Sequence, residues 1–137
     1  MSKNYWLMKS EPDAYGWDDL VAEGEGTWDG VRNHRAANNL RAMKVGDEAF
    51  FYHSNIGLEI VAIMKVSQAG LTDPNDPDGK WPAVKVKPVK KLKRAVTLKE
   101  IKADPALAEM ELVKQSRLSV AEVRPSEWDY ILALAKS

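Results

Sequence analysis

Residues 45–66 read VGDEAFFYHSNIGLEIVAIMKV, and this stretch decides the fold class. The Val45-Gly46-Asp47 segment predicts a tight turn that leads into a strand over residues 49–53. Residues 60–66 are rich in β-branched side chains and predict a second strand. The middle of the chain is therefore expected to be mainly β structure.

Further short elements flank this centre. Strands are predicted over residues 5–8, 81–89 and 118–123, and a surface loop over residues 72–79. Helices are predicted over residues 17–22 and 33–43, at the Thr97–Glu100 capping box, and from Pro125 onward. Because the elements do not alternate as regular βαβ units, we expect an α+β fold. Its centre would be a mixed β-barrel of about five to six strands with flanking short helices.

The composition narrows the function classes. A chain of 137 residues with 45% hydrophobic content suits a single domain over residues 1–137. The absence of cysteine excludes disulfides, thiol nucleophiles and cysteine zinc sites. The start of the chain has no signal-peptide pattern, and no apolar run is long enough to cross a membrane. We expect a cytoplasmic monomer without a cofactor, a metal or a membrane partner.

Charge is balanced overall but unevenly distributed. Residues 11–29 contain seven acidic side chains and no Lys or Arg, whereas residues 30–46 and 80–99 contain only basic charges. Two basic blocks on a neutral protein are typical of a local phosphate footprint. A solvated strand surface explains the same pattern equally well. The candidate phosphate-binding residues are Arg32, Arg35, Arg41, Lys85 and Lys87.

Catalytic motifs are missing. The sequence has no Gly-x-x-x-x-Gly-Lys phosphate loop, no Gly-x-Gly-x-x-Gly and no Gly-x-Ser-x-Gly. The two histidines, His34 and His53, are too far apart in sequence for a His-x-x-x-His metal pair. We therefore nominate no catalytic residue. Lys9 and Glu11 are the nearest approach to a reactive pair, because alternate strand positions share a face.

Aromatic residues are the informative feature. Trp6 and Trp128 are predicted to lie in the core, and Trp17 to pack a short helix onto the barrel. Trp28 follows a glycine-broken loop and precedes a helix capped by Asn33, so it is a candidate platform for a base. The alternative is that Trp28 merely fills the end of the barrel.

The strand over residues 49–53 offers further candidates. Strand geometry requires Phe51 and Tyr52 to point to opposite faces, and Tyr52 and Ser54 to share one. Tyr52 would supply a ring and Ser54 a hydroxyl to the same space. Ser10, at the end of the first strand, adds a possible hydrogen bond.

Five ordered segments resemble the EVE domain family. They are residues 5–12 (YWLMKSEP), 28–33 (WDGVRN), 45–47 (VGD), 50–54 (FFYHS) and 117–120 (RLSV). The resemblance spans nearly the whole chain and implies a PUA-like fold. It also implies kinship with YTH domains, which hold a methylated base in an aromatic cage, and with ASCH domains.

The resemblance implies a non-catalytic reader of DNA or RNA that carries a modified base. By motif position, the pocket would be lined by Ser10, Trp28, Asn33, Tyr52 and Ser54, and Trp81 would add a second ring. Two alternatives stay open. One is an ASCH-like hydrolase or ribonuclease that acts on RNA or modified nucleosides. The other is a binder of a small planar metabolite or of a protein partner.

Overall fold

Six strands form one sheet in the computed structural model, which describes residues 4–54 and 57–136. The ends of the predicted 1–137 domain lie outside the described residues. The strands are β1 (Tyr5–Ser10), β2 (Gly26–Trp28), β3 (Glu48–His53), β4 (Glu59–Thr72), β5 (Pro82–Thr97) and β6 (Val120–Val123). The helices are α1 (Pro12–Tyr15), α2 (Trp17–Glu23), α3 (His34–Ala42), α4 (Leu98–Ala103), α5 (Glu111–Lys114) and α6 (Pro125–Ala135), with a 3₁₀ turn over Pro105–Leu107.

The sheet has the order β2-β5-β4-β3-β1-β6. β1 pairs with β3 in parallel and with β6 in antiparallel orientation, and the remaining pairs are antiparallel. The α+β class and the mixed sheet with short flanking helices are therefore confirmed. β2 and β6 are the edge strands, and α3 packs against β6 on one side and β5 on the other. The Asn39 side-chain amide donates to the Val120 carbonyl at 2.7 Å, which ties α3 to the β6 edge.

The sheet buries both of its faces. The inner face packs Met8, Phe51, Met64 and Val86 against α2, α3 and Trp28. The outer face carries a second cluster, with Leu7, Phe50, Tyr52 and Ile63 under α4 and α6. Phe51 and Tyr52 thus point to opposite faces, as strand geometry requires. The outer cluster is anchored by Trp128, which stacks on Phe50 at 3.9 Å between ring centroids.

β4 and β5 are longer than the predicted strands and are interrupted by bulges. In β4 the register shifts at Val61, so that Phe51 pairs with Ala62 while Tyr52 pairs with Ile60. In β5 one shift falls between the pairs Met64–Pro88 and Ile63–Lys90, and another falls between the pairs Ala62–Lys91 and Ile60–Val96. Bulges bend strands and redirect side chains. The far half of β5 therefore presents different residues to the inner face from those that simple alternation predicts.

Several local predictions are confirmed. Asn33 caps α3, with its side-chain oxygen accepting the Ala36 N–H at 3.0 Å. Thr97 and Glu100 form the predicted capping box of α4. Trp6 and Trp128 are buried core residues. One local prediction is wrong: residues 26–28 are not a broken loop but strand β2, which pairs with β5.

The turn at residues 45–47 is held by a buried carboxylate. Asp47 accepts the Trp6 indole N–H at 3.0 Å and the backbone N–H groups of Asn4 and Lys44. Gly46 has φ of 97°, a left-handed conformation that favours glycine. This cluster holds the beginning of β1 against the beginning of β3.

Candidate functional site

A half-enclosed cavity lies at the end of the sheet where β1 and β3 finish. Its volume is about 570 Å³, within the range of small-ligand pockets. We call it the mouth cavity. Its apolar wall is formed by Trp17, Val61, Leu92 and Ala95, and its polar wall by His53 with charged residues around it.

Two donors of the mouth cavity lack a protein partner among the described residues. The backbone N–H of Trp17 donates to Nε2 of His53 at 3.2 Å, so in the neutral ring the proton sits on Nδ1. This Nδ1–H is the first of the two donors. Burial lowers the pKa of His53, against the opposing effect of the carboxylates of Glu59 and Asp18. The ring is therefore neutral at pH 7. The Trp17 indole N–H is the second free donor, although Trp17 is only 6% exposed.

Both donors face open space. No buried side-chain nitrogen or oxygen in the described part of the chain lacks a hydrogen bond. The unpartnered nitrogens of Trp17 and His53 must therefore be accessible to solvent. Because both residues line the mouth cavity, we infer that the two N–H groups are accessible from it. Phe51 fixes their positions, because it contacts Trp17 and His53 edge-on at 5.7 and 5.5 Å.

The rim of the mouth cavity carries both signs of charge. Lys91 and Lys93 supply the positive charges, and Asp18 and Glu59 supply negative charges. Lys91 pairs with Ala62, an inner-face residue, and cross-strand partners share a face. The β5 bulges thus bring Lys91 to the cavity. Asp19 is occupied locally, since its carboxylate accepts the Gly16 N–H at 2.7 Å at the start of α2.

Two predicted residues, Ser10 and Ser54, lie at this end of the sheet. Ser10 is the strand partner of His53, and its hydroxyl donates to the Tyr15 carbonyl at 2.7 Å. The Ser54 N–H donates to the Ser10 carbonyl at 2.9 Å. Both serines therefore hold the chain segments that border the cavity.

Trp28 and Tyr52 do not frame one hollow, so this part of the predicted arrangement is wrong. Trp28 belongs to the inner cluster, is 7% exposed and contacts the Phe51 ring edge-on at 5.5 Å. Tyr52 is 2% exposed and belongs to the outer cluster, with the Lys9 ammonium 5.7 Å from its ring centroid. The ring that faces Trp28 is the neighbouring Phe51. Trp28 fills the interior, which is the alternative that the sequence left open.

Asn33 and Trp81 lie apart from the mouth cavity. The side-chain oxygen of Asn33 serves as the cap of α3. Trp81 is half-buried just before β5 and contacts His34 at 5.2 Å between ring centroids. The guanidinium of Arg32 lies 5.5 Å from the Trp81 centroid. These residues form a separate aromatic and cationic group near the start of α3.

The predicted phosphate-binding residues differ in availability. The Nη2 nitrogen of Arg35 contacts both carboxylate oxygens of Glu111, at 2.6 and 2.8 Å, and Arg32 pairs with Asp73 at 2.9 Å. In the described part of the chain, Arg41 donates only to neutral oxygens, those of the Asn38 side chain and of the Lys80 carbonyl. Lys85 and Lys87 alternate with the inward-facing Val84 and Val86, and thus lie on the opposite face of β5 from the inner core. They do not rim the mouth cavity.

Asp73 organises the loop between β4 and β5. Its buried carboxylate accepts the Gly30 N–H at 2.8 Å, the Asn75 N–H at 2.7 Å and an Arg32 N–H. Burial alone would raise the pKa of Asp73, but these hydrogen bonds outweigh burial and hold the pKa below its usual value. The carboxylate connects this loop to the segment between Trp28 and α3.

The reactive pair considered from the sequence is not formed. The Lys9 ammonium donates to the Ser116 carbonyl at 2.9 Å, and burial lowers its pKa. Glu11 is exposed at the start of α1. Among residues 4–54 and 57–136, no three His, Cys, Asp or Glu side chains are grouped so that they could hold a metal ion. None of the described helices is long and apolar enough to cross a membrane.

Sequence reasoning did not identify the residues that line the mouth cavity. Trp17 was predicted only to pack, and its second role depends on the cavity beside it. His53 is one of only two histidines in the sequence, but its hydrogen bond is with the backbone N–H of Trp17, and no sequence motif indicates such a contact. Lys91 and Lys93 belong to the basic block of residues 80–99, and only the bulges of β5 distinguish them from Lys85 and Lys87.

A mixed sheet with short flanking helices and a cavity at one end is the architecture of the PUA-like class. The EVE domain model matches residues 4–134, and the chain belongs to this family. Thymocyte nuclear protein 1 from Rattus norvegicus is 39% identical over an alignment that covers 98% of this chain and 74% of that protein. The Homo sapiens protein of the same name is 36% identical, with 96% and 73% covered.

Solved structures agree with this assignment. Rpa0253 from Rhodopseudomonas palustris has a TM-score of 0.92 and 47% identity, covering 97% of this chain and 93% of that one. Human thymocyte nuclear protein 1, in complex with DNA containing 5-methylcytosine, has a TM-score of 0.88 and 35% identity over 98% and 99% of the two chains. A YTH domain from Zygosaccharomyces rouxii, at 18% identity and a TM-score of 0.59, shares the fold.

Proposed function

We propose that this chain is a non-catalytic reader that binds a modified base of DNA or RNA in the mouth cavity. The observation that carries this proposal is the complex of human thymocyte nuclear protein 1 with DNA containing 5-methylcytosine, because that protein matches 98% of this chain at 35% identity. The cavity supports the proposal by its size, its aromatic and apolar wall, and its free donors.

The polar groups of the mouth cavity suit the pairing edge of cytosine. That edge presents an amino donor followed by two acceptors, and carboxylates accept from the cytosine amino group. In the cavity, Asp18 and Glu59 are acceptors, while the His53 Nδ1–H and the Trp17 indole N–H are donors. Thymine presents a carbonyl oxygen where cytosine has its amino group, so a carboxylate would repel it. The proposal therefore favours a modified cytosine.

The apolar wall limits how strongly a methyl group can be selected. Burying one methyl group against Val61, Leu92 and Ala95 contributes about 0.8 kcal/mol, which is roughly a fourfold preference. Extruding a base costs a few kcal/mol, and aromatic stacking returns about 1–3 kcal/mol. Contacts from cations such as Lys91 and Lys93 to phosphate supply part of the remainder. We expect roughly micromolar affinity that falls steeply with salt.

Tryptophan fluorescence titrations test the proposal. Duplexes with 5-methylcytosine, cytosine or thymine at one position are compared for the wild-type protein and for His53→Gln. The wild type should prefer 5-methylcytosine over cytosine about fourfold. His53→Gln should weaken binding of both cytosine duplexes, and Asp18→Asn/Glu59→Gln should lose most of the affinity difference between cytosine and thymine. The double variant Lys91→Ala/Lys93→Ala should weaken all three duplexes equally.

The matched control is Lys99→Ala/Lys102→Ala, which removes two exposed lysines of α4 that do not line the mouth cavity. Equal binding by wild type, His53→Gln and Lys91→Ala/Lys93→Ala would refute the assignment of the cavity. Mass spectrometry of the nucleic acid after incubation tests the non-catalytic part, which any altered or released base would contradict. Light scattering tests the predicted monomer. A cytoplasmic location remains a prediction without support, and the vertebrate relatives are named as nuclear.

A further inference from the structure

We infer that a second surface, formed by Trp81, His34, Arg32, Arg41 and Lys80, binds an unpaired segment of the same nucleic acid. We call it the Trp81 surface. One base would add to the ring stack, and its phosphate would lie at Arg41 and Lys80. This inference rests on the proposed function, because it concerns the strand that flanks the base held in the mouth cavity.

The first observation is the aromatic group itself. The Trp81 and His34 rings lie 5.2 Å apart with an angle of 30° between their planes, and His34 is exposed. The Arg32 guanidinium lies 5.5 Å from the Trp81 centroid. Aromatic rings with adjacent cations are the usual platform for unpaired bases, because every base has a flat face that can stack. His34 begins α3 and Trp81 lies just before β5, so the packing of these two segments holds the rings together.

The second observation is a cationic cavity beside Trp81. It has a volume of about 240 Å³ and is lined by Arg41, Lys80 and Trp81, with no carboxylate among its described lining residues. Within residues 4–54 and 57–136, Arg41 donates only to neutral oxygens and forms no ion pair, so its charge is not neutralised there. This positive charge next to a ring matches a nucleotide, which joins a flat base to a phosphate.

The third observation concerns the acidic residues of the adjoining loop. Asp73 accepts the Gly30 and Asn75 N–H groups, and Asp76 accepts the N–H groups of Lys80 and Trp81, each at 2.8 Å. These carboxylates are therefore occupied in shaping the loop. Asp78 is the exposed exception. The outward face of the loop thus presents Trp81 and Lys80, while Asp73 is buried and the half-buried Asp76 carboxylate is turned to the backbone N–H groups of the loop itself.

The two sites lie at different ends of β5. Trp81 precedes the strand, and Lys91 reaches the mouth cavity ten positions further along. At about 3.3 Å per residue the separation along the strand is at most roughly 33 Å. A duplex rises 3.4 Å per base pair, so the unpaired segment would begin within about ten nucleotides of the base in the cavity. The exposed Lys87 lies between the two sites.

The experiment compares duplexes that carry one 5-methylcytosine and either blunt ends or a single-stranded extension. The extension starts four, seven or ten nucleotides from the modified base, on either strand. For the wild-type protein, one extension should tighten binding about tenfold over the blunt duplex, as stacking of a single base does. Trp81→Ala should abolish this gain, and Trp81→Phe should restore part of it. Arg41→Gln/Lys80→Gln should reduce the gain without removing the ring.

Two controls match these variants. Tyr130→Ala removes an exposed ring on α6, and Lys99→Gln/Lys102→Gln removes two exposed cations of α4, so both should keep the full gain. An equal gain in wild type, Trp81→Ala and Arg41→Gln/Lys80→Gln would overturn the inference, and so would the absence of any gain in the wild type. A gain that depends on Trp81, without any preference for 5-methylcytosine, would support this surface and overturn the proposed function instead.

Discussion

Replacing Asp73 tests whether the loop between β4 and β5 is held by one carboxylate. Asp73→Ala would leave the N–H groups of Gly30 and Asn75 without their acceptor and would unpair Arg32. A buried donor that loses its acceptor costs about 1–3 kcal/mol. Gly30 and Asn75 are themselves exposed, so water can reach them and about 1–1.5 kcal/mol, at the lower end of that range, applies to each.

The expected loss follows from these contacts. Two donors contribute about 2–3 kcal/mol together, and the ion pair adds less than about 1 kcal/mol because the Arg32 side chain is 42% exposed. We therefore expect Asp73→Ala to lower the free energy of unfolding by about 2–4 kcal/mol. Asp73→Asn keeps one acceptor oxygen, and the loss should be about half as large.

Urea unfolding at pH 7 measures both variants, with Asp78→Ala, an exposed carboxylate of the same loop, as the control. Because the folded protein holds the pKa of Asp73 below its ordinary value, this residue stabilises the fold above about pH 4. The contribution is lost as the pH falls through the lowered pKa, so Asp73→Asn should flatten this part of the stability curve. A loss for Asp73→Ala no larger than that for Asp78→Ala would refute the reasoning.

Three further predictions concern single contacts. Thr97→Ala removes the capping box of α4 and should lower the free energy of unfolding by about 1 kcal/mol, measured by urea titration; no change would contradict the cap. Glu111→Gln releases Arg35 from its ion pair, so DNA affinity should rise and its salt dependence should steepen by about one phosphate contact, with little change in stability. Protonation of His53 removes the acceptor of the Trp17 N–H. Because burial lowers the pKa of His53, base binding should stay constant from pH 8 down to the ordinary histidine range and weaken below it; His53→Gln should show no such decline.

Local signals were sufficient for much of the fold. Capping residues such as Asn33 and Thr97 act within one turn of helix, so the sequence shows them directly. The alternation of Phe51 and Tyr52 also follows from strand geometry alone. β2 could not be predicted, because its three residues become a strand only by pairing with β5, and that pairing depends on tertiary contacts.

The candidate site was less predictable than the fold. Alternation along β3 separates Phe51 from Tyr52 but does not say which ring faces Trp28. Along β5, the register shifts near Pro88 and beyond Lys91 change which lysines face the inner side, and no local residue pattern marks such shifts reliably. The sequence does not show which of the three loop aspartates is buried. Asp73 differs from the other two by its hydrogen bonds to Gly30, Arg32 and Asn75, which only the structure reveals.

The placement of β1 has a consequence for how the protein is made. This strand precedes the other five strands of the sheet, yet one of its neighbours, β6, follows all of them in the described part of the chain. On the ribosome, β1 can pair with β3 early, while its other edge stays open until β6 has been synthesised. Pairing between such distant segments is slow to form. An open strand edge is also a template for pairing with other chains, so the growing protein is exposed to such mispairing for longer than a helical domain of equal length would be.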